Sequence, residues 1–117
     1  DSGRLGVLGG SYGGFMTNWI ITQTDRFQAA ASQRSVANWT SDFGTSCIGY
    51  TFDPNEMQTT PWKDVMTMWT ASPLAYANKV KTPTLFIHSL EDYNCPLSEG
   101  LQNQVNLLSY AMRQTLI

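Results

Sequence analysis

The chain has 117 residues, nine Asp or Glu against seven Lys or Arg, a net charge of -2, and 14% charged against 42% hydrophobic residues. That length suits one small domain rather than two, and the balance is that of a globular chain rather than a disordered one. Without a block of like charge, nucleic acid and anionic membrane surfaces are poor partners; no apolar run is long enough to span a bilayer, and Asp1-Ser2-Gly3-Arg4 does not read as a signal peptide.

Arg4 to Leu8 is a short apolar run that reads as a buried strand. Gly9-Gly10-Ser11-Tyr12-Gly13-Gly14 follows, then a helix over Phe15 to Gln23 with Phe15, Trp19, Ile20 and Ile21 on its apolar face. Strand, tight glycine turn and helix make the first half of a βαβ unit. Phe27 to Ser32 reads as the next parallel strand, weakened by its alanines. Residues 35–61 read as irregular, with at most short helices around Ala37 to Phe43. Pro61 to Trp69 reads as a helix with proline in its first turn, and Leu74 to Asn78 as a helical turn. Thr84 to His88 is a continuous apolar strand fit for the middle of a parallel sheet. A polar loop spans Ser89 to Pro96. The last helix is expected from Leu97 to about Ile117, capped by Ser98, with Leu101, Val105, Leu108 and Met112 on one face. The expected fold is α/β, about three parallel strands flanked by helices in three layers.

Cys47 and Cys95 form no CxxC motif, and one histidine is too few for an ordinary zinc set. The expectation is two free, partly buried thiols in a reducing, cytoplasmic compartment. A disulfide between them stays open until geometry decides. No metal or organic cofactor is indicated.

Gly9-Gly10-Ser11-Tyr12-Gly13 matches G-x-S-x-G, a pattern informative only when a buried strand enters it and a helix leaves it. Both conditions are met by the reading above. A nucleophilic serine needs a sharp, strained turn, and glycines two before and two after it give the chain room to fold that tightly. The Tyr12 N–H then points toward a developing oxyanion, aided by the helix N-terminus. The spacing fits neither phosphate-binding loop, G-x-x-x-x-G-K-[ST] or G-x-G-x-x-G. The bland alternative is a glycine turn with an idle serine. In a triad of this order the acid follows a late strand. Asp92, in the loop after Thr84 to His88, fits that place, with Glu91 as its neighbouring competitor and a simple loop cap as the alternative role.

Arg4 to Trp19, Asp25 to Ala30, Gln33-Arg34-Ser35 with Asn38-Trp39, Ile48-Gly49-Tyr50, Ser72-Pro73-Leu74, Lys81-Thr82-Pro83 and His88 to Pro96 together resemble the acylaminoacyl-peptidase branch of the prolyl oligopeptidase family. The resemblance runs from about residue 4 to about residue 102. It implies part of one α/β-hydrolase catalytic domain, usually joined in the family to a β-propeller, and cleavage of short or N-acylated peptides through an acyl-enzyme. By motif it makes Ser11 the nucleophile, Asp92 the triad acid and the Tyr12 backbone an oxyanion donor. It places Arg34 at the border of the substrate pocket, where a structural arginine is the competing reading. Asn94 stands where the family often has arginine. The family continues through a further strand and a loop bearing the catalytic histidine, neither of which is read in this chain.

His88 precedes Asp92 at a strand end and reads as a packed residue rather than the base. The chain alone is therefore expected to show little peptidase activity, because a serine without a base is a weak nucleophile. Three functions stand side by side: a serine peptidase; an α/β-hydrolase esterase using the same elbow; and a non-catalytic truncated remnant that folds by pairing with a partner or with itself, through the edges and uncovered faces of an incomplete sheet.

Overall fold

The computed structural model describes residues 1–109 and 114–116, with side chains through Leu107. Four parallel strands lie in the order β1-β2-β3-β4: β1 Gly6–Ser11, β2 Ala29–Ser35, β3 Thr84–Ile87 and β4 Gln114–Leu116. The helices are α1 Tyr12–Gln23, α2 Trp39–Thr45, α3 Gly49–Met57, α4 Pro61–Thr70 and α5 Leu97–Ser109, with a 3-10 segment at Pro73–Lys79.

The period-2 alternation of strand side chains decides what each sheet face does. Ala30, Ser32, Thr84 and Phe86 are buried. Their face packs under α1, the 3-10 segment and α5, where Ile21, Ala77, Val80, Phe86 and Leu107 close one apolar core with Val7 against it. The opposite face carries Leu8, which is 73% exposed, beside Ala29, Ala31 and Leu85 along an open trough. A covering third layer would lie there. The architecture is an α/β parallel sheet flanked by helices, as the sequence predicts.

A second core sits beyond the C-terminal ends of the strands. Phe15, Val36, Trp39, Met68 and Cys95 are buried there, with Phe43, Phe52, Met57 and Ala71 packed around them. It is built largely from the segment read as irregular, where α2 and α3 form instead. Asn38 caps α2 by accepting a bond from the Thr40 N–H, 3.1 Å. Pro54 sits inside α3, and the left-handed Gln58, φ 55°, ends it. Gly49, Pro54 and several threonines have poor helix propensity; burial of Trp39 and its neighbours overrides it. In α4, Thr60 caps the first turn, and Asp64 breaks the helical backbone at φ -157°, ψ 84°.

The last helix departs most from expectation. It ends at Ser109, and a short strand follows and extends the sheet. Ser98 lies within the helix rather than before it. Leu101 and Val105 are 38% and 60% exposed, while Glu99, Asn103 and Leu107 point inward. Met112 and the Leu108 side chain lie outside the described residues. The buried face still recurs every four residues, but two of its members, Glu99 and Asn103, are polar.

β1 and β2 keep register until Gly10, where the pairing shifts so that Ser11 lies opposite Ser35 and Arg34 bulges out at φ 36°. The bulge turns Ser35 inward, where its hydroxyl receives the Ser32 hydroxyl at 2.8 Å and Asn18 Nδ2 at 3.0 Å. Helix α1 lies very close to this point. A Cβ on Gly14 would stand 2.6 Å from both the Gln33 carbonyl oxygen and the Ser35 Cβ. Gly14→Ala is expected to push α1 off β2 and lower stability by about 1–3 kcal/mol, measured as a drop in the urea midpoint.

Candidate active site

Ser11 ends β1 and α1 begins at the next residue. Its backbone is held at φ 56°, ψ -124°, a region that costs a residue with a side chain about 1–3 kcal/mol. The turn is so tight that a Cβ on Gly9 would lie 2.3 Å from the Gly13 carbonyl oxygen. The serine is exposed, and its hydroxyl makes no capping bond to the helix it precedes. The Tyr12 N–H belongs to the first turn of α1, whose amides have no carbonyl partner within the helix. The Tyr12 ring leans on Phe15 and Trp39 at centroid distances of 5.2 and 6.5 Å.

Asp92 lies in the loop between β3 and α5, close to Ser11 through one intervening residue. Its Oδ1 accepts the N–H groups of Asn94 at 3.1 Å and Cys95 at 2.9 Å. The Cys95 thiol in turn lies 4.0 Å from the Ser11 hydroxyl. Asp92 Oδ2 makes no hydrogen bond among the described residues and faces an open cleft shared with Cys47, Ser89, Glu91, Tyr93 and Asn94. Burial pushes the Cys95 thiol up to about 11, against a smaller lowering by its bond to Ser11. It is therefore a neutral thiol at physiological pH and not a rival nucleophile. Both cysteines are free, Cys47 exposed and Cys95 buried.

His88 is engaged elsewhere. Its Nε2 donates to the Cys95 carbonyl oxygen at 2.7 Å, and its ring lies so close to α5 that a Cβ on Gly100 would stand 2.6 Å from Nδ1. Arg34 lies at the bulge beside the elbow, exposed and without an ion pair among the described residues. Its guanidinium runs over Gly10, where a Cβ would meet Nη2 at 3.2 Å.

Between these groups lies a cavity of about 90 Å³, lined by Ser11, Tyr12, Val36, Trp39, Asp42, Ile48, Phe52, Asn94 and Cys95. Three buried acids stand in and behind its floor: Asp42 2% exposed, Asp53 and Glu99 0%. Glu99 is well partnered. Its Oε2 accepts the Ala37 and Asn38 N–H groups at 3.1 and 2.9 Å; Oε1 accepts from the Ser41 hydroxyl and from Gln102. Asp42 and Asp53 form a pair with each other. Burial raises both, foremost, and the nearby Glu99 charge adds to it. The sequence reading missed all three; for Asp42 and Asp53 the available signal was their place in or beside the aromatic-rich segment from Trp39 to Phe52, and for Glu99 there was none.

Residues 1–113 match the Peptidase_S9 model, the prolyl oligopeptidase family. The chain belongs to that family. It is 50% identical over 102 residues to the Uncharacterized peptidase YuxL of Bacillus subtilis strain 168, covering 87% of this chain and 16% of that protein. Among solved structures, acylaminoacyl peptidase from Pyrococcus horikoshii superposes with a TM-score of 0.96 at 38% identity, over all of this chain and 19% of that one. An acylaminoacyl peptidase in complex with Z-Gly-Gly-Phe-chloromethyl ketone superposes at 0.95 with 39% identity, again over all of this chain and 19% of that one. The chain thus spans about a sixth of the peptidase YuxL, within the α/β-hydrolase part of the prolyl oligopeptidase fold. Among the described residues no helix is long and apolar enough to cross a membrane.

Two outcomes are expected. Ser11→Gly relieves the positive-φ strain and raises the urea midpoint, by about 1 kcal/mol with m unchanged. The Asp42–Asp53 pair titrates above the usual value of 3.8 in the folded chain, Asp42 to about 8. The folded state therefore binds protons more tightly than the unfolded one, and the pair's contribution to stability is lost as pH rises from about 4 toward 8. Thermal unfolding should show Tm falling between pH 5 and pH 8, with a shallower fall in Asp42→Asn.

Proposed function

We propose that this chain is the nucleophile-and-acid segment of one serine peptidase catalytic domain, acting on short or N-acylated peptides through an acyl-enzyme on Ser11. The observation that carries this reading is the backbone of Ser11, strained at φ 56° between a parallel strand and a helix N-terminus, with its hydroxyl uncapped. Ser11 attacks the substrate carbonyl. The Tyr12 N–H receives the oxyanion, in a position where the helix dipole favours negative charge. Asp92 offers Oδ2 to orient a base histidine and to stabilise the imidazolium that forms. With His88 committed to the Cys95 carbonyl, the base comes from a histidine outside these 117 residues. Arg34, unpaired beside the elbow, borders the peptide's path. The exposed free thiol of Cys47 supports a reducing, cytoplasmic setting. A second reading, self-association, is supported by the open sheet face around Leu8.

The complete enzyme is expected to hydrolyse N-acetyl-aminoacyl chromogenic substrates, with Ser11→Ala lowering kcat by a factor on the order of 10⁶. The isolated chain should take up no fluorophosphonate, read as unchanged intact mass. An adduct on the isolated chain that Ser11→Ala removes would instead make His88, or an associated copy, the base.

A further inference from the structure

We propose that the cavity beside Ser11 is a specificity pocket for a cationic side chain, lysine or arginine, on the residue whose carbonyl Ser11 attacks. This deepens the peptidase reading and rests on it. The cavity opens at the nucleophile and has aromatic and aliphatic walls from Tyr12, Val36, Trp39, Ile48 and Phe52. Its volume of about 90 Å³ takes roughly half a dozen water-sized groups, the size of four methylenes and an ammonium. Such walls suit a methylene stem, and the Trp39 ring suits a cation beside it.

The floor sets the charge. Asp42 lines the cavity and is 2% exposed. Among the described residues its Oδ1 has no hydrogen-bond donor, nor has either oxygen of Asp53. A carboxylate kept for structure is satisfied by donors, as Glu99 is by two backbone N–H groups, a hydroxyl and an amide. The Asp42–Asp53 pair lacks such donors, and buried acceptors without donors are costly. A substrate cation supplies what is missing. In its absence a shared proton does so, which leaves one negative charge on the pair.

Among the described residues the pair is faced by further negative charge. The groups acting on Asp42 are Asp53 from α3, Glu99 from α5 and Asp92 from the β3–α5 loop; the Cys95 thiol lines the same cavity. Protons compete with the substrate cation for the pair. Preference for the cation therefore strengthens as pH rises and weakens as it falls.

The test uses the complete enzyme and three N-acetyl fluorogenic peptides differing only in the residue that donates the attacked carbonyl: lysine, its uncharged isostere norleucine, and glutamine. The ratio of kcat/KM values cancels ionisations of the triad that all three share. The expected ratio of lysine to norleucine is about tenfold or more at pH 8, the scale of a buried charge-assisted contact, and smaller at pH 6. Asp42→Asn should bring it to about one, with fluorophosphonate labelling of Ser11 retained as the sign of a folded site. Norleucine or glutamine cleaved as well as lysine by the unaltered enzyme would overturn the pocket assignment and leave the peptidase reading standing. No cleavage of any of the three, with no labelling, would overturn the peptidase reading itself.

Discussion

The close approach of α1 to the ends of β1 and β2 is the constraint on which the rest depends. The chain must reverse from strand to helix within one residue, and Ser11 takes the strain of doing so. No side chain fits at Gly9 or Gly14, because backbone already occupies the space a Cβ would need. The same approach accompanies the bulge at Arg34, which turns Ser35 into the core and leaves the arginine beside the elbow. The elbow, the bulge and the buried Asn18–Ser35 bond are thus parts of a single packing solution.

A second constraint fixes what surrounds Ser11. Glu99 reaches from α5 to the backbone N–H groups of Ala37 and Asn38, where β2 has just ended and α2 is about to begin. It anchors the N-terminus of a helix with a carboxylate, the charge such a terminus favours. The Ser72 hydroxyl, receiving the Trp39 N–H at 2.9 Å, ties the same segment to the end of α4. Trp39 is thereby set against Phe15 and Phe52, at 4.9 and 6.4 Å between ring centres, and the cavity beside Ser11 takes its shape. Polar contacts decide the position of an aromatic wall whose own packing is not directional enough to do so.

Asp92 shows how a loop becomes precise. Two neighbouring backbone N–H groups hold one carboxyl oxygen, and the other makes no hydrogen bond among the described residues. The His88 ring braces the far side of the same loop through the Cys95 carbonyl. The chain's single histidine therefore supports the segment that carries Asp92.

The sequence by itself determined the elbow, the parallel sheet and the family, because these depend on local rules: glycine spacing, an apolar run of strand length, and motifs in a fixed order. The place of Asp92 in the loop after the strong strand at Thr84 was legible too. Tertiary structure alone decided the rest. Helices α2 and α3 form against local propensity because Trp39 and Phe52 find a core there. The inward face of α5 carries Glu99 and Asn103, polar residues that a count of apolar positions passes over; the backbone partners of Glu99 lie some sixty residues away. The Asp42–Asp53 pair is invisible for the same reason. An acid in a sequence reads as surface, and only the fold shows that these two are buried together near Ser11, where burial raises both above the usual carboxylate range.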